Sequence, residues 1–164
     1  MLRPYQKDFV DNVLRDFHDK DRVLGILPTG AGKTFCFVNI AKHCLESNKR
    51  VLSLMHRETL VNQAQEAFLN QGIRAEIEMG SKKASNEADV VIGSIQTFKD
   101  KRLNKWDKDH FRLTIVDEAH HIEANSWQET VNHFKDTKLL GVTATPSRSD
   151  GKSLSNTFEK ISYE

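Results

Sequence analysis

Apolar positions along this chain keep two alternating rhythms. Tyr5, Phe9, Val13 and Phe17 recur every fourth residue in PYQKDFVDNVLRDF, which predicts an amphipathic helix over 4–17. RVLGIL (22–27) is a continuous apolar run of strand length, and it breaks into a loop holding Pro28, Gly30 and Gly32. A helix is predicted over 33–46, a strand over 50–55, and a helix over 58–72 that stops at Gly72. RAEIEMG (74–80) reads as a short strand and the residues to Ala88 as a polar loop. DVVIG (89–93) is a strand, SIQTFKDKRLNK a loop with a short helix, and 112–116 another strand. A helix over 125–134 and a last strand near 138–143 complete the series. Strands apolar on both faces and separated by helices predict an α/β fold with a mainly parallel sheet and right-handed crossovers.

Composition adds bounds. At 164 residues, with 38% hydrophobic and 29% charged, the chain has the size and balance of one globular domain. No apolar run approaches the ~20 residues a membrane helix needs, and MLRPYQKDFV lacks the apolar stretch of a secretory signal. Cys36 and Cys44, on one predicted helix, would sit ~12 Å apart along its axis, too far for a disulfide with each other. They read as core residues of a reduced, cytoplasmic-type protein. A net charge of +1 provides no global attraction for nucleic acid, so any such binding must come from a local patch.

The chemistry begins at LPTGAGKT (27–34), between a predicted strand and a predicted helix. Glycines at 30 and 32 let the backbone turn its N–H groups inward, and the following helix adds the positive end of its dipole. Such a nest takes polyphosphate: Pro28, Thr29, Gly30, Ala31 and Gly32 form it, Lys33 reaches the β- and γ-phosphates, and Thr34 offers a hydroxyl to Mg²⁺. One position departs from the general pattern, which begins with glycine where this chain has Leu27.

VDEAHH follows, with Asp117 and Glu118 ending an apolar strand. Ligands of open α/β sheets bind at the carboxyl ends of strands, where the phosphate loop also lies. Asp117 then holds Mg²⁺, through water, and Glu118 orients the attacking water. Two other readings compete: the acid pair caps the next helix, or Glu118, His120 and His121 bind zinc. The zinc reading lacks the H-E-x-x-H spacing that puts two histidines on one helix face.

LRPYQ (2–6), LPTGAGKT, VLSLMHRETLVNQ (51–63), VVIGSIQTF (90–98), VDEAHH and GVTATPSRSDG (141–151) occur in the order found in superfamily 2 helicases of the DEAH type. The chain resembles the first RecA-like motor domain of that family, in the branch of restriction-enzyme motor subunits and phage or repair DNA helicases. The resemblance implies a RecA-like phosphate-loop fold with helices on both faces of the sheet, spanning 1–164 as one ATP-binding domain, with the second motor domain absent from the chain. It implies ATP and Mg²⁺ as cofactors, with Lys33, Asp117 and Glu118 catalytic. Nucleic acid is the implied partner, DNA favoured over RNA, together with a second RecA-like domain in cis or in trans, and no membrane.

The same resemblance gives roles to scattered residues. Gln6, beside Arg3 and Tyr5, is similar to the family's adenine-sensing segment, and a carboxamide can both donate to and accept from adenine. His56 and Arg57 follow the second strand, where the family contacts the nucleic-acid backbone. Gly93 and Ser94 stand similarly after the next long strand. Gln96, His120, Thr143 and Thr145 look like the parts that couple the ATP site to domain movement. The alternatives are ordinary: Gln6 on the surface, Arg57 solvated, Thr143 and Thr145 ending a strand. Trp106, among lysines, could stack on a base or anchor a solvated surface; the second is favoured. Two other function classes remain, a module that binds nucleotide or nucleic acid without turnover and a small-molecule kinase.

Overall fold

Each continuous apolar run becomes a strand because both its faces are covered, and each striped segment becomes a helix lying on one of those faces. The computed structural model describes residues 2–28, 30–119, 125–134, 137–144 and 158–163. In chain order the elements are α1 (Pro4–Asp16), β1 (Arg22–Ile26), α2 (Lys33–Glu46), β2 (Arg50–Met55), α3 (Glu58–Asn70), β3 (Ala75–Glu78), β4 (Val90–Ser94), α4 (Asp100–Asn104), β5 (Phe111–Asp117), α5 (Asn125–His133), β6 (Lys138–Thr143) and β7 (Lys160–Tyr163). The named strands form one sheet in the order β3-β4-β2-β5-β6-β1-β7, and every pairing between them is parallel.

Two apolar cores clasp this sheet. Phe9 and Val13 of α1, Phe37 and Ile40 of α2, and Val61 and Phe68 of α3 pack over Val51, Ile115 and Leu140. On the other face, Leu103, Trp106, Val131 and Phe134 pack over Leu52, Leu54, Val116 and Leu139. Successive strand residues point to opposite cores, so neighbours such as Val51 and Leu52 are both buried and the alternation disappears from the sequence.

The helix ends follow local rules. Pro4 opens α1, where a missing N–H costs nothing. α3 closes in a Schellman motif: Gly72 N–H donates to Leu69 O at 3.0 Å and Ile73 N–H to Phe68 O at 3.1 Å, with Gly72 at φ 74°. Among the described residues no helix is long and apolar enough to cross a membrane. Cys36 is fully buried and Cys44 half-buried, and both are free. Burial pushes the Cys36 thiol up to about 11 and raises Cys44 too, where Lys49 partly opposes it.

One feature departs from the sequence reading, and one alternative left open there is decided. The tail carries a strand, β7, which pairs with β1 as an edge and is tied to α1. Lys160 Nζ donates to Asp16 Oδ1 at 3.0 Å, and Asn12 Nδ2 donates to Ser162 O at 3.2 Å. Trp106 is 1% exposed, packed against Phe111 and covered by the Lys105 ammonium. That excludes base stacking and makes it the anchor of its charged segment.

Candidate functional site

The strand order decides which loops meet. β5 and β6 fill the space between β2 and β1, so the C-terminal ends of β1, β6, β5 and β2 stand side by side. The glycine loop leaves β1 and the acid pair leaves β5, with β6 between them: Ile26 aligns with Thr143, and Asp117 with Val142.

Leu27 explains its own departure from the usual glycine. Its N–H donates to Thr143 O at 3.0 Å, extending the β1–β6 ladder by one residue, and its side chain is 1% exposed in the first core. The bend comes later, at Gly30 and Gly32, with φ 83° and 79°. That left-handed backbone is cheap for glycine and strained for other residues. Gly32 is the residue before α2, so Lys33 and Thr34 occupy the first turn of that helix, at the positive end of its dipole.

The N-terminal segment clamps this loop from outside. Ala31 O accepts from the Tyr5 hydroxyl and from Gln6 Nε2, each at 2.9 Å. Gln6 Oε1 accepts the Arg3 N–H at 2.9 Å. A Cβ on residue 32 would stand 2.4 Å from Gln6 Nε2, so the clamp itself requires glycine there. The surface alternative for Gln6 is thereby corrected: its carboxamide is buried between the start of α1 and the phosphate loop. One amide hydrogen and one lone pair remain beyond these bonds.

Lys33 and the acids, 84 or 85 residues apart in sequence, meet directly. Lys33 Nζ lies 3.3 Å from Asp117 Oδ1 and 3.2 Å from Glu118 Oε1. Asp117 is buried and Glu118 half-buried, and Asp117 Oδ1 also accepts the Glu118 N–H at 2.9 Å. Glu118 takes φ 54°, a left-handed conformation that costs a non-glycine residue roughly 1–2 kcal/mol. The helix-cap alternative places no such demand on the backbone. The group opens into a cavity of about 370 Å³ lined by Gly30, Gly32, Lys33, Thr34, Leu60, Gln63, Asp117 and Glu118. Leu60 and Gln63, from α3, were not singled out by sequence. Their signal is weak, since either residue suits an ordinary amphipathic helix.

The donor set suits Mg²⁺ with a phosphate ligand. The Asp117 carboxylate and the Thr34 hydroxyl border the same space, and magnesium would complete its shell with substrate oxygens and water. Among the described residues no cluster of His, Cys, Asp and Glu could hold a metal without such help. His120 and His121, on which the zinc alternative depends, lie outside the described residues, as do Thr29 and Thr145.

The remaining candidates gather at a neighbouring edge. His56 is half-buried just after β2, and exposed Arg57 precedes the first turn of α3. Met55 aligns with Ser94 across β2 and β4, which brings His56 and Arg57 beside the segment after Ser94. There the Ser94 and Thr97 hydroxyls bond at 2.8 Å, while Gln96 is exposed. Gly93 is buried between β2 and β3, where a Cβ would meet the Phe98 ring at 2.3 Å and Glu78 O at 2.9 Å, so packing alone accounts for its glycine. Thr143 is fully buried on β6, between the phosphate-loop strand and the acid-bearing strand.

Fold and site together define a RecA-like phosphate-loop domain. The chain belongs to the family described as "Type III restriction enzyme, res subunit", whose sequence model matches residues 1–148. It is 35% identical over 99% of its length to a Schizosaccharomyces pombe protein named "Putative mitochondrial ATP-dependent helicase irc3", covering 29% of that protein. It is 34% identical, again over 99%, to the Saccharomyces cerevisiae "Putative ATP-dependent helicase IRC3", covering 26% of it. The chain thus spans under a third of these relatives. Among solved structures, the fold matches the Hef helicase domain of Pyrococcus furiosus at TM-score 0.79, with 24% identity, 99% of this chain and 38% of that one covered. The UvsW helicase of bacteriophage T4 matches at 0.77, with 22% identity, 99% of this chain and 60% of that one covered.

Proposed function

We propose that the chain is the ATP-binding and ATP-hydrolysing half of a helicase or translocase motor acting on nucleic acid, with DNA as its track. The observation that carries this is the Lys33 ammonium resting on Asp117 and Glu118 at the mouth of the glycine loop. A lysine so placed is held for an anion: when a triphosphate enters, its β- and γ-oxygens replace the carboxylates as partners. Thr34 and Asp117 would hold Mg²⁺, which would neutralise phosphate charge. Glu118, released from Lys33, accepts a proton at Oε1 from the attacking water as the γ-phosphorus–oxygen bond to ADP breaks. Gln6 and Arg3 select adenine through the polar atoms left over from the clamp.

Names of the relatives support nucleic acid as the partner, and exposed Arg57, next to the segment after Ser94, supplies a phosphate-gripping edge. Gln96, His120, Thr143 and Thr145 serve as coupling parts. Relatives over three times longer leave room for a second RecA-like domain, whose arginine would add ~10³–10⁵-fold in rate. The isolated chain therefore binds ATP–Mg²⁺ weakly, hydrolyses it slowly and separates no strands. Phosphate release should rise on adding DNA and collapse in Glu118→Gln. No DNA response together with no effect of the substitution would reduce the chain to a binding module, and robust unwinding by the isolated chain would contradict the half-motor reading.

A further inference from the structure

Most of the phosphate cavity is built from residues whose chemistry announces itself, and one wall is not. Leu60 and Gln63 come from α3, a helix whose other business is packing Val61, Ala64 and Phe68 into the core. Spaced three apart, they share one face of the helix. Leu60 is half-buried and contributes only an apolar wall. Gln63 is exposed, so the fold does not use its carboxamide to satisfy the interior. The residues bordering the same space are Lys33, Thr34 and the acid pair, while Arg3 and Gln6 do not line it. It is the phosphate end of the site.

We propose that Gln63 donates a hydrogen bond from its side-chain N–H₂ to the terminal phosphate of a bound nucleoside triphosphate, making α3 the wall that distinguishes triphosphate from diphosphate. This rests on reading the cavity as a triphosphate site. A carboxamide suits the task because it donates without bringing the negative charge that would repel phosphate beside Asp117 and Glu118. Lys33 cannot make the distinction alone, because its reach covers β- and γ-oxygens alike.

The test is the affinity of the full chain for a non-hydrolysable ATP analogue and for ADP, each with Mg²⁺, by titration calorimetry. A hydrogen bond to a charged oxygen predicts about tenfold weaker analogue binding in Gln63→Ala, with ADP binding unchanged. Gln63→Glu, nearly the same size, should weaken the analogue further by charge repulsion and again spare ADP. Equal loss for both nucleotides, or no loss for either, overturns the assignment of Gln63 while leaving the triphosphate site intact. A wild-type chain that binds neither nucleotide overturns the site reading itself and Gln63 with it.

Discussion

Two clusters of lysine and glutamate sit at C-terminal ends of strands, and they differ in what they leave over. At the end of β3, Glu78 is fully buried and every demand is met: it accepts from Arg102 Nε at 2.9 Å, from the Ala84 N–H at 3.2 Å and from Lys105. At the end of β5, a single lysine serves two carboxylates beside an open cavity, and one of those acids holds a strained backbone angle. The first arrangement pins α4 and the loop between β3 and β4 to the end of β3. The second faces an open cavity and holds a cation that can change partners. Closure marks the staple, and an open cavity beside an exchangeable cation marks the candidate site.

Substitutions should separate the two roles. The largest effect is expected from Glu118→Gln, which removes the proposed base and should cost ~10²–10⁴-fold in phosphate release with little change in thermal unfolding. Glu78→Ala should do the reverse: Arg102 and Lys105, both partly exposed, turn to water, while the buried Ala84 N–H loses its acceptor at a cost of about 1–3 kcal/mol, read by denaturant titration. A stable Glu78→Ala protein would erase the contrast. Lys33→Ala comes next, with about 10–100-fold weaker triphosphate binding from the lost charge-assisted contacts. The smallest effect belongs to a third pair, Asp16 with Lys160. Burial alone would raise the Asp16 carboxyl, but Ser162 and Lys160 overcome it and hold the group below its ordinary 3.8. A depressed acid contributes stability above its unfolded value and loses it as the pH falls through the folded one. Asp16→Asn should therefore cost up to about 1 kcal/mol at neutral pH, shrinking below pH ~4. A penalty that grew in acid would reverse the sign.

The same contrast explains what could be read in advance. The meeting of GAGKT with the acid pair was legible because both leave C-terminal ends of parallel strands, and Leu27 misled nothing because the bend lies at Gly30 and Gly32. The Glu78 cluster was invisible, since its members at 78, 102 and 105 look like surface charges until α4 folds over them. Burial of Gln6 could not be foreseen for a similar reason: it depends on a bond to Ala31, 25 residues away. β7 escaped because KISY is short and its partner strand lies at the other end of the chain. Leu60 and Gln63 escaped because only the tertiary approach of α3 sets them beside the glycine loop.

A crystal structure grown with a non-hydrolysable ATP analogue and Mg²⁺ tests the convergence of loop and acids most directly. The account predicts the Lys33 ammonium moved off Glu118 and onto β- and γ-phosphate oxygens, with the metal between Thr34 and Asp117. A nucleotide bound elsewhere, with Lys33 still bridging Asp117 and Glu118, would contradict it.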